Sequence, residues 1–404
     1  MTVDAATRPA RADRRARVAV AVLFFTNGAL FANLLPRYPQ IKEALGIGNA
    51  GYGLAVAAFP AGAVAAGLAA GVVIRRLGSA RAAVAGTLLT AAGILAAGFA
   101  DTVALFAAAL FLAGAMDAVT DVAQNAHGLR VQRRYGRSII NSFHAIWSIG
   151  AVTGGAMAAG AIALDLPPQR HLAISGALFT VAACVALRFC LPGPDVEPVT
   201  EPVADGTAAS PAKAVTPGRR TAWVLAALVL IATAGTLVED AGNSWAALYL
   251  SGSLDASVTL AASGFIALVG AQFVGRLIGD RLVDRFGQRA VARAGGIVTA
   301  VGMGLALAVP TVPGTILGFA AAGFGVATLV PAAMHEADEL PGLKPGTGLA
   351  LVSWLMRLGF LLSPPVVGLV ADAAGLRVGL LTVPFAGVLV LLLAGVLQGR
   401  RPPP

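Results

Sequence analysis

Charge is what this sequence has least of. Asp, Glu, Lys and Arg make up 12% of the 404 residues while 57% are hydrophobic, which excludes one water-soluble globule or even two. Cysteine is nearly absent: Cys184 and Cys190 stand alone, and six residues apart they predict neither a disulfide nor a metal site, only small packing residues. Catalytic motifs are missing too. "HEADE" at 335–339 opens like a zinc-protease helix but has Glu339 where the second histidine is required. With no G-x-S-x-G elbow, phosphate loop or paired-cysteine motif, the expectation is no enzyme, no catalytic residue, no metal, no cofactor and no ATP-driven step in this chain.

What fills the sequence instead is apolar runs of membrane-crossing length, about 18 to 25 residues each. They fall at 18–36, 52–74, 82–100, 102–125, 139–164 and 171–191, then at 221–245, 257–279, 290–309, 312–334, 346–371 and 376–398. Without the alternation of a barrel strand they predict helices, and the 49 glycines suit helices that approach closely in a bilayer. The expected fold class is an all-α membrane protein of twelve transmembrane helices in two six-helix pseudo-symmetric bundles. The first span is not a cleavable signal, because eleven more follow.

The net charge of +9 belongs to topology rather than nucleic acid. Arg8, Arg11, Arg14, Arg15 and Arg17 precede the first span; Arg75, Arg76 and Arg81 follow the second; Arg130, Arg133, Arg134 and Arg137 follow the fourth. Arg281, Arg285, Arg289 and Arg293 follow the eighth, and Arg400 and Arg401 end the chain, whereas the other face offers Arg37, Lys42, Arg170 and Arg377. The positive-inside rule then puts both termini in the cytoplasm of a cell (inner or plasma) membrane protein.

The expected domains are a basic tail at 1–17, a six-helix bundle at 18–191, a Pro-, Ala- and Thr-rich flexible linker at 192–220, a second bundle at 221–398 and a tail at 399–404. A shift of 209 residues lays "IRRLG" at 74–78 on "VDRFG" at 283–287, Gly114 on Gly323 and Gly150 on Gly359. Six-span halves repeated in parallel are a plan of secondary transporters, with the site near the midplane between them.

With these landmarks the chain resembles the major facilitator superfamily over essentially its whole length. "DRFGQR" at 284–289, with Asp284, Arg285, Gly287 and Arg289, resembles that family's cytoplasmic loop motif. The loop after span two keeps Gly71, Arg76 and Gly78 but has Arg75 where the acid is usual. "DVAQN" at 121–125, "NSFHAIWSIGAVTGG" at 141–155 and "NLLPRYPQ" at 33–40 resemble the fucose permease-like branch. Ala32 and Asn33 replace that permease's acid, so fucose itself is not implied. The resemblance implies a monomer; the expected partners are a small-molecule substrate, protons and the bilayer, with no nucleic acid.

Polar residues inside spans carry the functional reading, because an ionised group there costs about 2.5–3.5 kcal/mol or more. Asp117, Asp121 and Asn125 stack on one face of the fourth helix, and Asp117 lies roughly 20 Å from Arg130. Like charge and desolvation oppose ionising both acids. The stretch therefore reads as a proton-binding site, with depth favouring Asp117 and the resemblance favouring Asp121. A purely structural polar pair is the alternative.

Glu239 is a third proton-coupling candidate. Glu239, Asp240 and Asn243 are either solvated caps or, in a broken seventh helix continuing to Leu250, the lining of an outer vestibule; the broken helix is the favoured expectation. Trp245 and Tyr249 read either as part of that vestibule or as interfacial anchors. Substrate-binding candidates are Asn27, Asn33, Asn125, His144, Trp147, Asn243, Trp245, Trp354 and Arg357. His144 titrates near neutrality, Trp147 offers a flat wall, and Arg357 needs a carboxylate, an anion or water. The function expected is a proton-coupled secondary active transporter of a small polar solute, a sugar or related metabolite; the alternatives are a drug or metabolite efflux antiporter and a non-transporting sensor.

Overall fold

The computed structural model describes residues 11–67, 69–135, 139–193, 218–341, 343 and 347–398. Arg8, Arg137, Lys344, Arg400 and Arg401, most of the 192–220 linker and the 399–404 tail lie outside them. Among the described residues there is no strand, and twelve helices are long and apolar enough to cross a membrane. They are α1 Arg11–Ala44, α2 Asn49–Gly67, α3 Ser79–Gly98, α4 Val103–Tyr135, α5 Ser142–Ala163 and α6 Pro168–Leu187, then α7 Arg219–Ser253, α8 Val258–Gly279, α9 Gln288–Ala308, α10 Val312–Asp338, α11 Leu351–Ala374 and α12 Leu376–Val396. Leu89, Phe111, Leu178, Leu305 and Phe385 are exposed on the outside, as a lipid-facing surface requires.

Helices of each half pack mainly on one another. In the first, α1 lies against α5 and α6, α4 against α2 and α3, and α3 against α6; in the second, α10 lies against α8 and α9, and α7 against α8 and α11. Glycine sets the closest approaches. A Cβ on Gly114 would collide with the Phe59 carbonyl and one on Gly323 with the Leu268 carbonyl; Phe59 and Leu268 are themselves 209 positions apart. Gly78 and Gly287, paired by the same shift, end their helices at φ 81°, a conformation open to glycine alone. The repeat read from sequence is a repeat of contacts.

The halves meet chiefly at the end that carries the α1–α2 connection. There α2 packs on α11, and Gly53 meets the Pro364 carbonyl while Gly368 meets that of Asn49. Tyr52 of α2 donates to the Ser244 carbonyl of α7 at 2.7 Å and sits edge-on to Trp245 at 4.9 Å. Asp372, at the end of α11, accepts from the backbone N–H groups of Asn49 and Ala50 at 2.9 and 2.8 Å. One half thus caps the opening turn of a helix in the other, where the helix dipole favours an anion.

Removing that cap by Asp372→Ala is expected to favour opening of this end by about 2- to 30-fold, the range of an N-cap loss. The check is maleimide labelling of Ser244→Cys, buried under Tyr52, in a Cys184→Ser/Cys190→Ser background. Faster labelling in Asp372→Ala is the expected result.

Three expectations change. The seventh helix is not broken: α7 runs as one helix through Gly242 to Ser253, because Gly242 spends its missing side chain on contact with Leu268 and no proline follows. Breaks lie in other spans, among them Met356 in α11 and Ala327–Thr328 in α10. Trp245 and Tyr249 are not interfacial anchors, being 0% and 1% exposed. Helix α4 continues ten residues past 125, and Arg130, read as a loop charge, is buried and bonds the carbonyls of Leu191 and Gly193 at 3.4 and 3.1 Å.

Candidate functional site

Asn27 of α1 is the hub of a polar cluster in the first half. Its Nδ2 donates to Asp117 Oδ1 of α4 at 2.6 Å, and its Oδ1 accepts from Trp147 Nε1 of α5 at 2.8 Å and from Gln124 Nε2 at 3.5 Å. Three helices thus converge on one buried amide. The arrangement depends on close packing, since Gly28 abuts the Trp147 carbonyl and Gly150 that of Phe25.

One turn along α4, Asp121 accepts from Asn125 Nδ2 at 3.0 Å, and the same amide reaches the Asp121 carbonyl at 2.8 Å. Both residues are half-buried. The charges that act on Asp121 come from His144 on α5 and, across the gap between the halves, Arg357 on α11. Arg357 opens the second segment of α11, directly after the break at Met356, whose carbonyl accepts from Thr236 at 2.8 Å. His144 is exposed and also feels Arg276 of α8.

The second half has its own polar group. Glu239 of α7 accepts from Gln272 of α8 at 2.7 Å and pairs with Arg276 at 3.7 Å. Next to it, Asp240 is buried and accepts from Ser244 at 3.3 Å.

Other candidates lie elsewhere. Asn33 is fully buried within the first half, donating to the Ala29 carbonyl and meeting His171 Nε2 at 2.7 Å. Trp245 belongs to the closed end with Tyr52, and Asn243 is half-buried beside it on α7. Trp354 is exposed. Of the loop motif, Arg289 bonds the Leu397 carbonyl at 3.0 Å at the end of α12, while Arg76, Asp284 and Arg285 are exposed.

Sequence reasoning missed Gln124, Gln272 and Arg276. The last two are four apart inside the apolar run "LVGAQFVGRLIG", so the stacking rule that found Asp117 and Asp121 applied to them equally. Gln124 lies three residues after Asp121, a spacing the same rule covers.

The family model of the Major Facilitator Superfamily matches residues 20–282 and 240–404. An uncharacterized transporter, y4wD, of Sinorhizobium fredii is 30% identical over 94% of this chain and 97% of its own length. Membrane protein MosC of Rhizobium meliloti is 29% identical over 92% of this chain and 88% of its own. Among solved structures, the nucleoside transporter NupG superposes with a TM-score of 0.73 at 14% identity, covering 94% of this chain and 98% of its own. A D-xylose-proton symporter gives 0.68 at 15%, covering 94% and 96%. At such identities the structures attest the fold alone. The matches place the chain in the superfamily without singling out the fucose permease-like branch within it.

Proposed function

The chain belongs to the major facilitator superfamily, a multi-pass membrane transporter and not an enzyme, and on that premise we propose that it moves a small polar solute coupled to protons by alternating access. The observation that carries the proposal is the Asp117–Asp121 pair. Two acids a turn apart lie within the span, one bonded to Asn27 and the other under the charges of His144 and Arg357 from both sides of the gap. Lipid-buried carboxylates are costly unless they serve an ion or substrate path. Protonation changes the charge balance between the halves and so which arrangement is favoured.

The polar side chains between the halves support a solute rich in hydrogen-bonding groups: Asp121 and Asn125 are half-buried on α4, Arg276 of α8 acts on His144 of α5, and half-buried Trp147 offers a flat surface. Names given to proteins of the same fold, a nucleoside transporter and a D-xylose-proton symporter, agree with that class. With the termini and basic loops in the cytoplasm, the end closed by Tyr52, Trp245 and Asp372 is the outer one, so the arrangement is one closed to the outside, in a monomer of the cell membrane.

The test is accumulation of labelled monosaccharides, polyols and nucleosides by proteoliposomes under an imposed proton gradient. Accumulation of at least one above its equilibrium level, collapsing when a protonophore is added, is expected. Solute entry that ignores the protonophore refutes proton coupling, and binding without entry refutes transport.

A further inference from the structure

Asn27 does more than fill space between α1 and α4. Its amide has a fixed sense. Indole Nε1–H only donates and Gln124 presents its Nε2, so a flipped Asn27 would set its own NH2 against two donors, Trp147 Nε1 at 2.8 Å and Gln124 Nε2 at 3.5 Å. The NH2 is therefore committed to Asp117 Oδ1 at 2.6 Å. That oxygen always faces a donor, which leaves Oδ2 as the atom that takes a proton.

The two bonds of the amide lie in series. When Asp117 is ionised, the bond from Asn27 is charge-assisted and roughly twice as strong as a neutral one, and the polarised amide holds the indole more firmly through its carbonyl. When Asp117 takes its proton, both bonds weaken together. Asn27 itself cannot shift to follow, because it is 5% exposed and the adjoining Gly28 packs directly on the Trp147 carbonyl. The freedom gained falls to the Trp147 ring, which is half-buried.

From this geometry we infer that Asn27 is the positioning residue that transmits the protonation of Asp117 to the indole of Trp147, holding the ring when the acid is ionised and freeing it when the acid is neutral. The inference rests on the proposed role of the helix-four acids and adds how a change of charge at Asp117, beside the coupling acid Asp121, is felt at the indole of Trp147. The charge that acts on Asp117 itself is Asp121, one turn on; α1 and α5 present Asn27 and Trp147 to it, while His144 of α5 and Arg357 of α11 act on Asp121.

The test needs neither solute nor gradient. Tryptophan emission of the full-length protein in nanodiscs is titrated with pH, and the contribution of Trp147, one of four tryptophans, is taken as the difference between parent and Trp147→Phe. A single pH-dependent step in that contribution is expected, lost in Asn27→Ala and in Asp117→Asn, and kept in Asp121→Asn with a displaced midpoint. A step that survives Asp117→Asn overturns the inference, and so does one that survives Asn27→Ala; the near-isosteric Asp117→Asn decides the matter if Asn27→Ala is not recovered folded. A step of the expected kind together with vesicles that couple no solute to protons would leave the network standing and remove the transport mechanism alone.

Discussion

Gly150→Val is expected to leave little folded protein to extract from the membrane. At the α1–α5 seam a Cβ on Gly150 would overlap the Phe25 carbonyl, one on Gly154 the Ala29 carbonyl and one on Gly28 the Trp147 carbonyl. Each collision is with backbone, which cannot turn aside as a flexible side chain can. Overpacking in a filled core costs about 1–3 kcal/mol and more when nothing yields. In a bilayer no hydrophobic gain compensates, because lipid tails are as apolar as the side chain added. Gly160 lies on the same helix with open space around its Cβ position, so Gly160→Ala should be neutral or better, gaining helix propensity of about 0.8–1.0 kcal/mol. Size-exclusion profiles and melting curves of the two detergent-extracted variants check the contrast, and similar behaviour of both would contradict it.

The second large effect is Asp121→Asn. The substituted amide keeps an oxygen for the Asn125 bond, now seen at 3.0 Å, so the fold should survive. The side chain can no longer change charge, and Arg357 and His144 face a permanently neutral group. Solute exchange without a gradient should continue, while gradient-driven accumulation falls by about 5- to 150-fold, the usual span of coupling between two sites. If accumulation is unchanged in Asp121→Asn and lost in Asp117→Asn, the proton belongs to Asp117, whose carboxyl is the one tied to Asn27.

These two effects also mark what was legible in the sequence. Apolar run lengths gave the twelve spans, and a shift of 209 gave the pairing of the halves, because packing glycines recur at the same points of each bundle: Gly114 and Gly323 touch backbone carbonyls that are themselves paired by the shift. Helix ends were less legible. Arginines at 130 to 134 read as loop, yet helix α4 extends to Tyr135, where Arg134 pairs with Asp13 at 3.1 Å. Gly242 read as a break because periodicity cannot distinguish a glycine that ends a helix from one that lets a neighbour approach.

Within the candidate site, one-helix neighbours were readable and cross-helix partners were not. Asp117, Asp121 and Asn125 follow from spacing alone. That Asn27 joins Asp117 to Trp147 depends on where α1, α4 and α5 cross, and the residues concerned lie 90 and 120 positions apart in the chain. His171 was likewise invisible as the partner of Asn33, which removed Asn33 to the packed interior of its half.

The most direct measurement is of the proton itself. Proteoliposomes loaded with a pH-sensitive dye and set to equal pH on both sides receive a saturating pulse of whichever solute accumulates in the uptake assay. The account predicts a change of lumenal pH that starts with the solute and is absent in Asp121→Asn. Solute that enters the parent vesicles at full rate while lumenal pH stays constant would contradict it.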